Sequence, residues 1–462
     1  MTAVADRIRA LPQRHGRGTL IALALIAVLG LGARAVAVAH PVADPADDSH
    51  AYYALSKALY TEGSFGGPEF KDSSDWSPGA PLLYAAVFYA TGGAREGTAR
   101  IVEALMGVAA ILVVFLLGER LARGMPGPGG RDAGRVVGLL AAFAVAVYPP
   151  FIHSTGELMS EPPAILTLPA AVLAFLWASA QERLRAWLLP GLLFGLTAMF
   201  RPEYLLVAAA FVVLAAVRVG TARGWRPGLA GAGLLLAALL LPILPWTIRN
   251  VDVLGRVVPI STGSGKALYV GTYLPADGEY QRVKALLYER YEGKSLPPNS
   301  QALNEVDPTP LFNKVWKERY PELSRDAALG RIGKENLSKY LGEDPLGYLA
   351  MTARKVGRMW SSGVGAAMSS GLGRAVQILL VALGLAGFAL LGMRRRWWEL
   401  IALATPIVLV TAVGALSLAA PRRNEVLMTL VFPLAALALS SALAAISSGR
   451  EWSPQQASSP PN

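Results

Sequence analysis

Long uncharged runs recur along the chain and are broken at intervals by short arginine-rich turns. A helix rising 1.5 Å per residue needs about 20 apolar residues to cross about 30 Å of hydrocarbon. Runs that reach or approach this length fall at 19–39, 98–119, 135–152, 162–180, 186–200, 203–219, 228–248, 372–393, 397–418 and 424–446. The pattern predicts an all-α polytopic membrane protein with about ten transmembrane helices. Neither an internal repeat nor an alternating β pattern is visible.

Between the runs lie a basic segment 1–18, a first connecting loop 40–97, a long polar segment 249–371 and a tail 447–462. The expected organisation is a transmembrane core over 19–248, a mainly helical segment 249–371, and C-terminal transmembrane helices over 372–446. Within the first loop, 77–91 is apolar but too short to span. Pro78 and Pro81 stand at its start, where proline suits a first helical turn, so an interfacial helix is expected. Charge alternates with aromatic residues over 276–345, which reads as a small helical cap. The tail ends in Ser-Ser-Pro-Pro-Asn and is too polar and short to pack, so it is expected to be disordered.

Composition agrees with a lipid environment: 53% of the 462 residues are hydrophobic and only 16% charged, against roughly 25% in soluble proteins. The net charge of +11 is spread over the ends of apolar runs. A nucleic-acid surface would gather it into a patch, so nucleic acid is not an expected partner. Absence of cysteine excludes disulfides, thiolate metal sites and Cys nucleophiles. Lys and Arg favour the cytoplasmic side. With both termini inside, every inner loop is basic: Arg120, Arg123, Arg131 and Arg135, then Arg183 and Arg185, then Arg218, Arg223 and Arg226, then Arg394, Arg395 and Arg396. The loop 40–97 and the segment 249–371 then face outward from the plasma membrane, and the chemistry is expected on that face.

Asp47 and Asp48 follow directly on the first run. A carboxylate there can act as a general base or hold a cation, although an arbitrary Asp-Asp pair is more often a solvated loop. Tyr52, Leu55 and Leu59 continue at helical spacing from Asp48, so Asp48 is expected near a helix start, where the amides favour negative charge. Glu161, in Ser-Glu-Pro-Pro at the outer end of a span, is either a helix start or a functional acid, with Glu157 a lesser candidate. Arg201, and Arg249 with Asn250, lie outside against the charge bias. Fork-like recognition of a phosphate competes there with snorkelling to headgroups. Arg422 and Arg423 form a third, weaker candidate in a short turn. A divalent metal on His50 and His153 with Asp48 or Glu161 stays open, and no other cofactor is implied.

Some patterns carry no chemistry. Thr-Gly-Ser-Gly-Lys at 262–266 lacks the first glycine and the final Ser or Thr of a phosphate loop, because Ile260 and Ala267 stand at those places. Gly-Leu-Leu-Phe-Gly at 191–195 is a helix-packing pattern.

Taken in order, a larger set of motifs forms an ensemble over residues 19–275: Asp48-x-x-x-Tyr52 with Leu59 and Gly63, Pro78-Gly79-x-Pro81, Ala99-Arg100, Tyr148-Pro149, Ser160-Glu161-Pro162, Arg201-Pro202 and Pro245-Trp246-x-x-Arg249-Asn250. This ensemble resembles the family 39 membrane glycosyltransferases of the GT-C fold, which include protein O-mannosyltransferases and bacterial aminoarabinose transferases. The chain departs from them in having Asp-Asp where many members have Asp-Glu, and Thr272 where an Asn often follows Gly271. The resemblance implies inverting transfer of a hexosyl or pentosyl group, on the outer face, from a polyprenyl-phosphate sugar held in membrane lipid. Asp48 would then be the base, with Asp47 a neighbour able to share that role. Glu161 would orient the acceptor or a cation, and Tyr52, Arg100, Arg201, Arg249 and Asn250 would contact substrate. The acceptor, whether glycan, lipid or protein, is left open. Two other classes compete: a lipid or solute transporter or flippase, which would place charges at mid-bilayer, and a non-catalytic envelope scaffold, which predicts no shared geometry among Asp48, Glu161, Arg201 and Arg249.

Overall fold

The computed structural model describes residues 16–41, 48–66, 73–130 and 132–450. Asp47, the segment 1–15 and the tail from 451 lie outside the described residues. Among those described there is no strand. Helices α1 to α5 cover Arg17–Ala39, Asp48–Glu62, Gly79–Thr91, Glu96–Ala122 and Ala133–Val147, and α6 to α10 cover Pro149–His153, Glu161–Ala178, Leu188–Phe200, Tyr204–Arg223 and Trp225–Leu254. Helices α11 to α17, between the two groups of long apolar helices, cover Ser264–Thr272, Tyr280–Glu292, Gln301–Asn304, Thr309–Arg319, Arg325–Glu343, Pro345–Ser361 and Ala366–Ser369. The last three, α18 to α20, cover Gly371–Met393, Trp397–Leu416 and Arg422–Arg450.

Among the described residues eight helices are long and apolar enough to cross a membrane, or nine if the bent pair at α5 and α6 is one span. The expected tenth, 186–200, is a shorter apolar helix. Pro202 is the reason it stops: a residue before proline is pushed out of the helical region, and Arg201 is extended at φ −137°, ψ 98°. The apolar segment expected to lie along the membrane forms α3 and ends at Gly92 in the left-handed region.

A buried arginine repairs the break between α5 and α6. Pro149 and Pro150 have no N–H, so the carbonyls of Val145 and Ala146 lose their helical donors. Arg34, fully buried in α1, donates from Nη2 to Val145 O at 3.1 Å and from Nη1 to Ala146 O at 3.3 Å. Gly107 on α4 is what admits the guanidinium, since any Cβ there would collide with it. Ionisable groups within spans are costly unless paired, and here the charge joins three helices.

Packing elsewhere follows the small residues. Gly191 and Gly195 bring α8 against the backbone of α10 at Leu235 and Leu239, as the small-xxx-small pattern predicts. Helices α11, α12, α14 and α15 form a separate small core around Tyr269, Val283, Leu287, Phe312 and Leu329. Thr-Gly-Ser-Gly-Lys serves this cap: the amides of Gly263 and Gly265 donate to Asp326 Oδ1 at 2.8 and 2.7 Å. Lys355 on α16 fastens the cap to the span α19. It is fully buried and donates to the carbonyls of Gly271, Ala415 and Ser417 at 2.6 to 2.9 Å.

Candidate active site

Three separated stretches converge on one guanidinium. Asp48 is the first residue of α2, Glu161 the first of α7 and Arg422 the first of α20. Arg422 Nη1 donates to Asp48 Oδ2 and its Nε donates to Glu161 Oε1, while Nη2 reaches Glu161 Oε2 at 3.0 Å. Both acids therefore sit in the first turn of a helix, where the free amides favour negative charge. Glu161 is held further by Ser160 Oγ at 3.2 Å and by Arg201 Nη1.

The extended backbone at Arg201 aims its guanidinium back at this point. Its Nε and Nη2 also donate to Glu203 Oε1 at 3.0 and 2.7 Å. Burial alone would raise the Glu203 carboxyl, yet the attraction of Arg201 and then Arg423 outweighs it and holds the group below its ordinary range. Asp48, Glu161 and Glu203 thus face Arg201 and Arg422, with Arg423 acting on Glu203 and a further buried acid, Glu425, three residues after Arg422. Exposure separates the acids: Asp48 keeps 34% of its side chain accessible, Glu161 1%. Asp48 is the carboxylate that a solute can meet.

A second buried pair positions the loop leading to Glu161. Tyr84 donates to Glu103 Oε1 and lies 2.6 Å from Met159 O, while the Met159 amide donates to Glu103 at 3.3 Å. Both backbone polar groups of Met159, two residues before Glu161, are therefore fixed. Tyr52 lies one turn after Asp48 with its hydroxyl 3.3 Å from Ser77 Oγ and its ring edge-on to Trp76. Burial, and then Asp48, raise its pKa. In the helical segment that follows, burial and then Asp48 and Asp307 push the Tyr280 hydroxyl above its ordinary value.

The remaining expected contacts are not brought to this cluster. Arg100 pairs with Glu96 one turn away at 2.6 Å. Arg249 donates to Phe65 O at 2.9 Å and lies over the rings of Phe65 and Trp246. Asn250 is fully buried and donates to the carbonyls of Val258 and Ile260 at 2.9 and 3.0 Å. Trp246 Nε1 also donates to Ile260 O. Pro-Trp-x-x-Arg-Asn is thereby a clamp that folds the strand-like segment after α10 back onto that helix. Thr272 is likewise buried, bonded to Leu268 O at 2.7 Å. Arg422, the residue that joins the acids, has a sequence signal only in its position: two arginines at an outer turn, against the charge bias.

Among the described residues no three His, Asp or Glu side chains gather as a metal donor set. Arg422 occupies oxygens of Asp48 and Glu161 that a divalent ion would need.

Residues 75–246 match the sequence profile of the dolichyl-phosphate-mannose-protein mannosyltransferase family. The chain superposes, over 98% of its length and 53% of the other's, on the archaeal oligosaccharyltransferase AglB from Archaeoglobus fulgidus in complex with an inhibitory peptide and a dolichol-phosphate, at 15% identity and TM-score 0.52. This chain has the GT-C fold. The apo form of the Archaeoglobus fulgidus oligosaccharyltransferase matches 94% of it at 17% identity, TM-score 0.53, covering 51% of that protein. The GT-C chain therefore spans about half the length of these relatives, and the likeness establishes fold. ArnT from Cupriavidus metallidurans bound to undecaprenyl phosphate aligns over 95% of this chain and 81% of its own at 14% identity, with TM-score 0.37, too loose to bear on the fold. No curated protein sequence matches the chain.

Proposed function

We propose that the chain is an inverting glycosyltransferase that moves a sugar from a polyprenyl-phosphate donor to an acceptor hydroxyl, at the cluster around Arg422 on the outer face of the plasma membrane. One observation carries this reading: Arg422 joins an accessible carboxylate, Asp48, to a buried one, Glu161. Buried ion networks contribute little net stability, so a cluster of acids and arginines drawn from separate stretches of the chain is better explained by chemistry than by folding. The family profile over residues 75–246 supports the same reaction class.

The reaction is a single displacement. Asp48 takes the proton of the acceptor hydroxyl, whose oxygen attacks the anomeric carbon as the bond to the phosphate oxygen breaks, with inversion. A protonated Asp48 no longer neutralises Arg422, so the cluster gains one positive charge as the lipid phosphate departs with its extra negative charge. Electrostatic stabilisation is strongest when the charge is already positioned. Glu161 holds Arg422 and Arg201 in place and is a positioning residue, while Arg422, Arg423 and Arg201 are the cations nearest the leaving phosphate.

Replacing Asp48 with Asn and measuring transfer from a labelled lipid-phosphate sugar in membranes tests the reading. Transfer should fall by at least 100-fold. Near wild-type transfer at normal protein level would overturn it.

A further inference from the structure

α7 starts at Glu161 in the acid–arginine cluster and runs 18 residues, roughly 27 Å at 1.5 Å per residue. Its far end and the following turn thus lie across the hydrocarbon from Arg422. A cleft of about 770 Å³ opens there, lined by Trp177, Gln181, Arg183, Arg185, Leu188 and Leu189, with Glu182 on its wall. Its shape is held from below and from the side. Trp187 is buried with its ring 5.3 Å from that of Phe175. Arg223 donates to the carbonyls of Glu182 and Gln181 at 2.8 and 2.7 Å.

Several cations on this face are engaged by the protein. Arg120 donates to Leu176 O, Arg218 stacks on Trp398, and Arg396 pairs with Glu399. Arg183 and Arg185 are exposed, and among the described residues neither guanidinium has a hydrogen bond or ion pair. Beside them Trp177, Leu188 and Leu189 are 44%, 41% and 48% exposed. Two unpaired forks next to an indole and two leucines, at the end of a spanning helix, have the layout of a lipid: charge, interface, acyl chain.

We propose that this cleft is a binding site for an anionic phospholipid. Arg183 and Arg185 take the phosphate through their planar forks, Trp177 lies at headgroup level, and Leu188 and Leu189 meet the acyl chains. Basic pockets between spans bind such headgroups in the negatively charged cytoplasmic leaflet, the leaflet that the arginine-rich turns assign to this face. The site is independent of sugar transfer at the opposite face.

Native mass spectrometry of the full chain in detergent, titrated with dioleoylphosphatidylglycerol, dioleoylphosphatidylcholine or glycerol 3-phosphate, tests it. The phosphatidylglycerol adduct should be favoured at least tenfold over phosphatidylcholine. Arg183→Gln with Arg185→Gln should remove that preference, while Arg394→Gln with Arg395→Gln, at an inner turn outside the cleft, should keep it. Equal retention of the two lipids overturns the proposal, as does a preference that survives in the first double variant. Binding of glycerol 3-phosphate as tight as that of the lipid also overturns it, since the cleft would then be an anion pocket only.

Discussion

Arg422 donates to Asp48 across 374 residues of chain. The same guanidinium holds Glu161 through two nitrogens, so one side chain from the last helix sets the positions of acids from the second and seventh. Arg422→Lys preserves the charge but not the fork. Transfer from a labelled lipid-phosphate sugar should drop at least tenfold in Arg422→Lys and 100-fold or more in Arg422→Gln. Retention of full activity by Arg422→Lys would show that charge alone suffices.

Asp48 is bonded to Arg422, whereas the adjacent Asp47 lies outside the described residues. Asp48→Asn is expected to abolish transfer, while Asp47→Asn stays within about threefold of wild type in the same assay. The reverse order would move the base to Asp47.

Arg249 stands on Phe65 and Trp246 instead of at the cluster. Arg249→Gln should therefore lower the thermal midpoint of the detergent-solubilised protein while leaving KM for the lipid-linked donor within about twofold. Loss of cation–π and hydrogen-bond contacts of this kind amounts to roughly 1–3 kcal/mol. A large rise in KM without loss of stability would instead make Arg249 a donor contact.

Arg34 satisfies two carbonyls that prolines 149 and 150 strand. In Arg34→Met those carbonyls lose their partner within the bundle, at roughly 1–3 kcal/mol each. The variant should unfold at a lower temperature, with kcat and KM of the surviving fraction unchanged.

Lys355 gives a pH signature. Burial, then repulsion from Arg358 and Arg423, pushes its ammonium down from 10.5 to about 8. Between those values the unfolded chain binds the proton more readily than the folded one, so stability rises with pH from this group. Below about 8 both states hold the proton and the contribution is flat. The difference in thermal midpoint between wild type and Lys355→Met should therefore grow in favour of wild type from pH 8 to pH 10, and a constant difference over that range would contradict the assignment.

Helices and their approximate ends are legible in the chain because lipid leaves a backbone no other way to satisfy its hydrogen bonds, and a hydrophobic run of the right length is a strong signal. The place of Asp48 at a helix start follows from the spacing to Tyr52 and Leu55. The packing role of Gly191 and Gly195 is equally readable, since small residues four apart act locally. The shortened helix 188–200 is less so: Pro202 is visible, but its effect on Arg201 acquires meaning only beside Glu161. Which charges meet is decided by tertiary structure alone. Arg201, Arg249 and Arg422 look alike in sequence, each an arginine at the edge of an apolar run. Packing sends Arg249 onto two aromatic rings and brings Arg201 and Arg422 to Glu161, because a buried carboxylate must find a cation, and here the two cations come from 40 and 261 residues away in the chain.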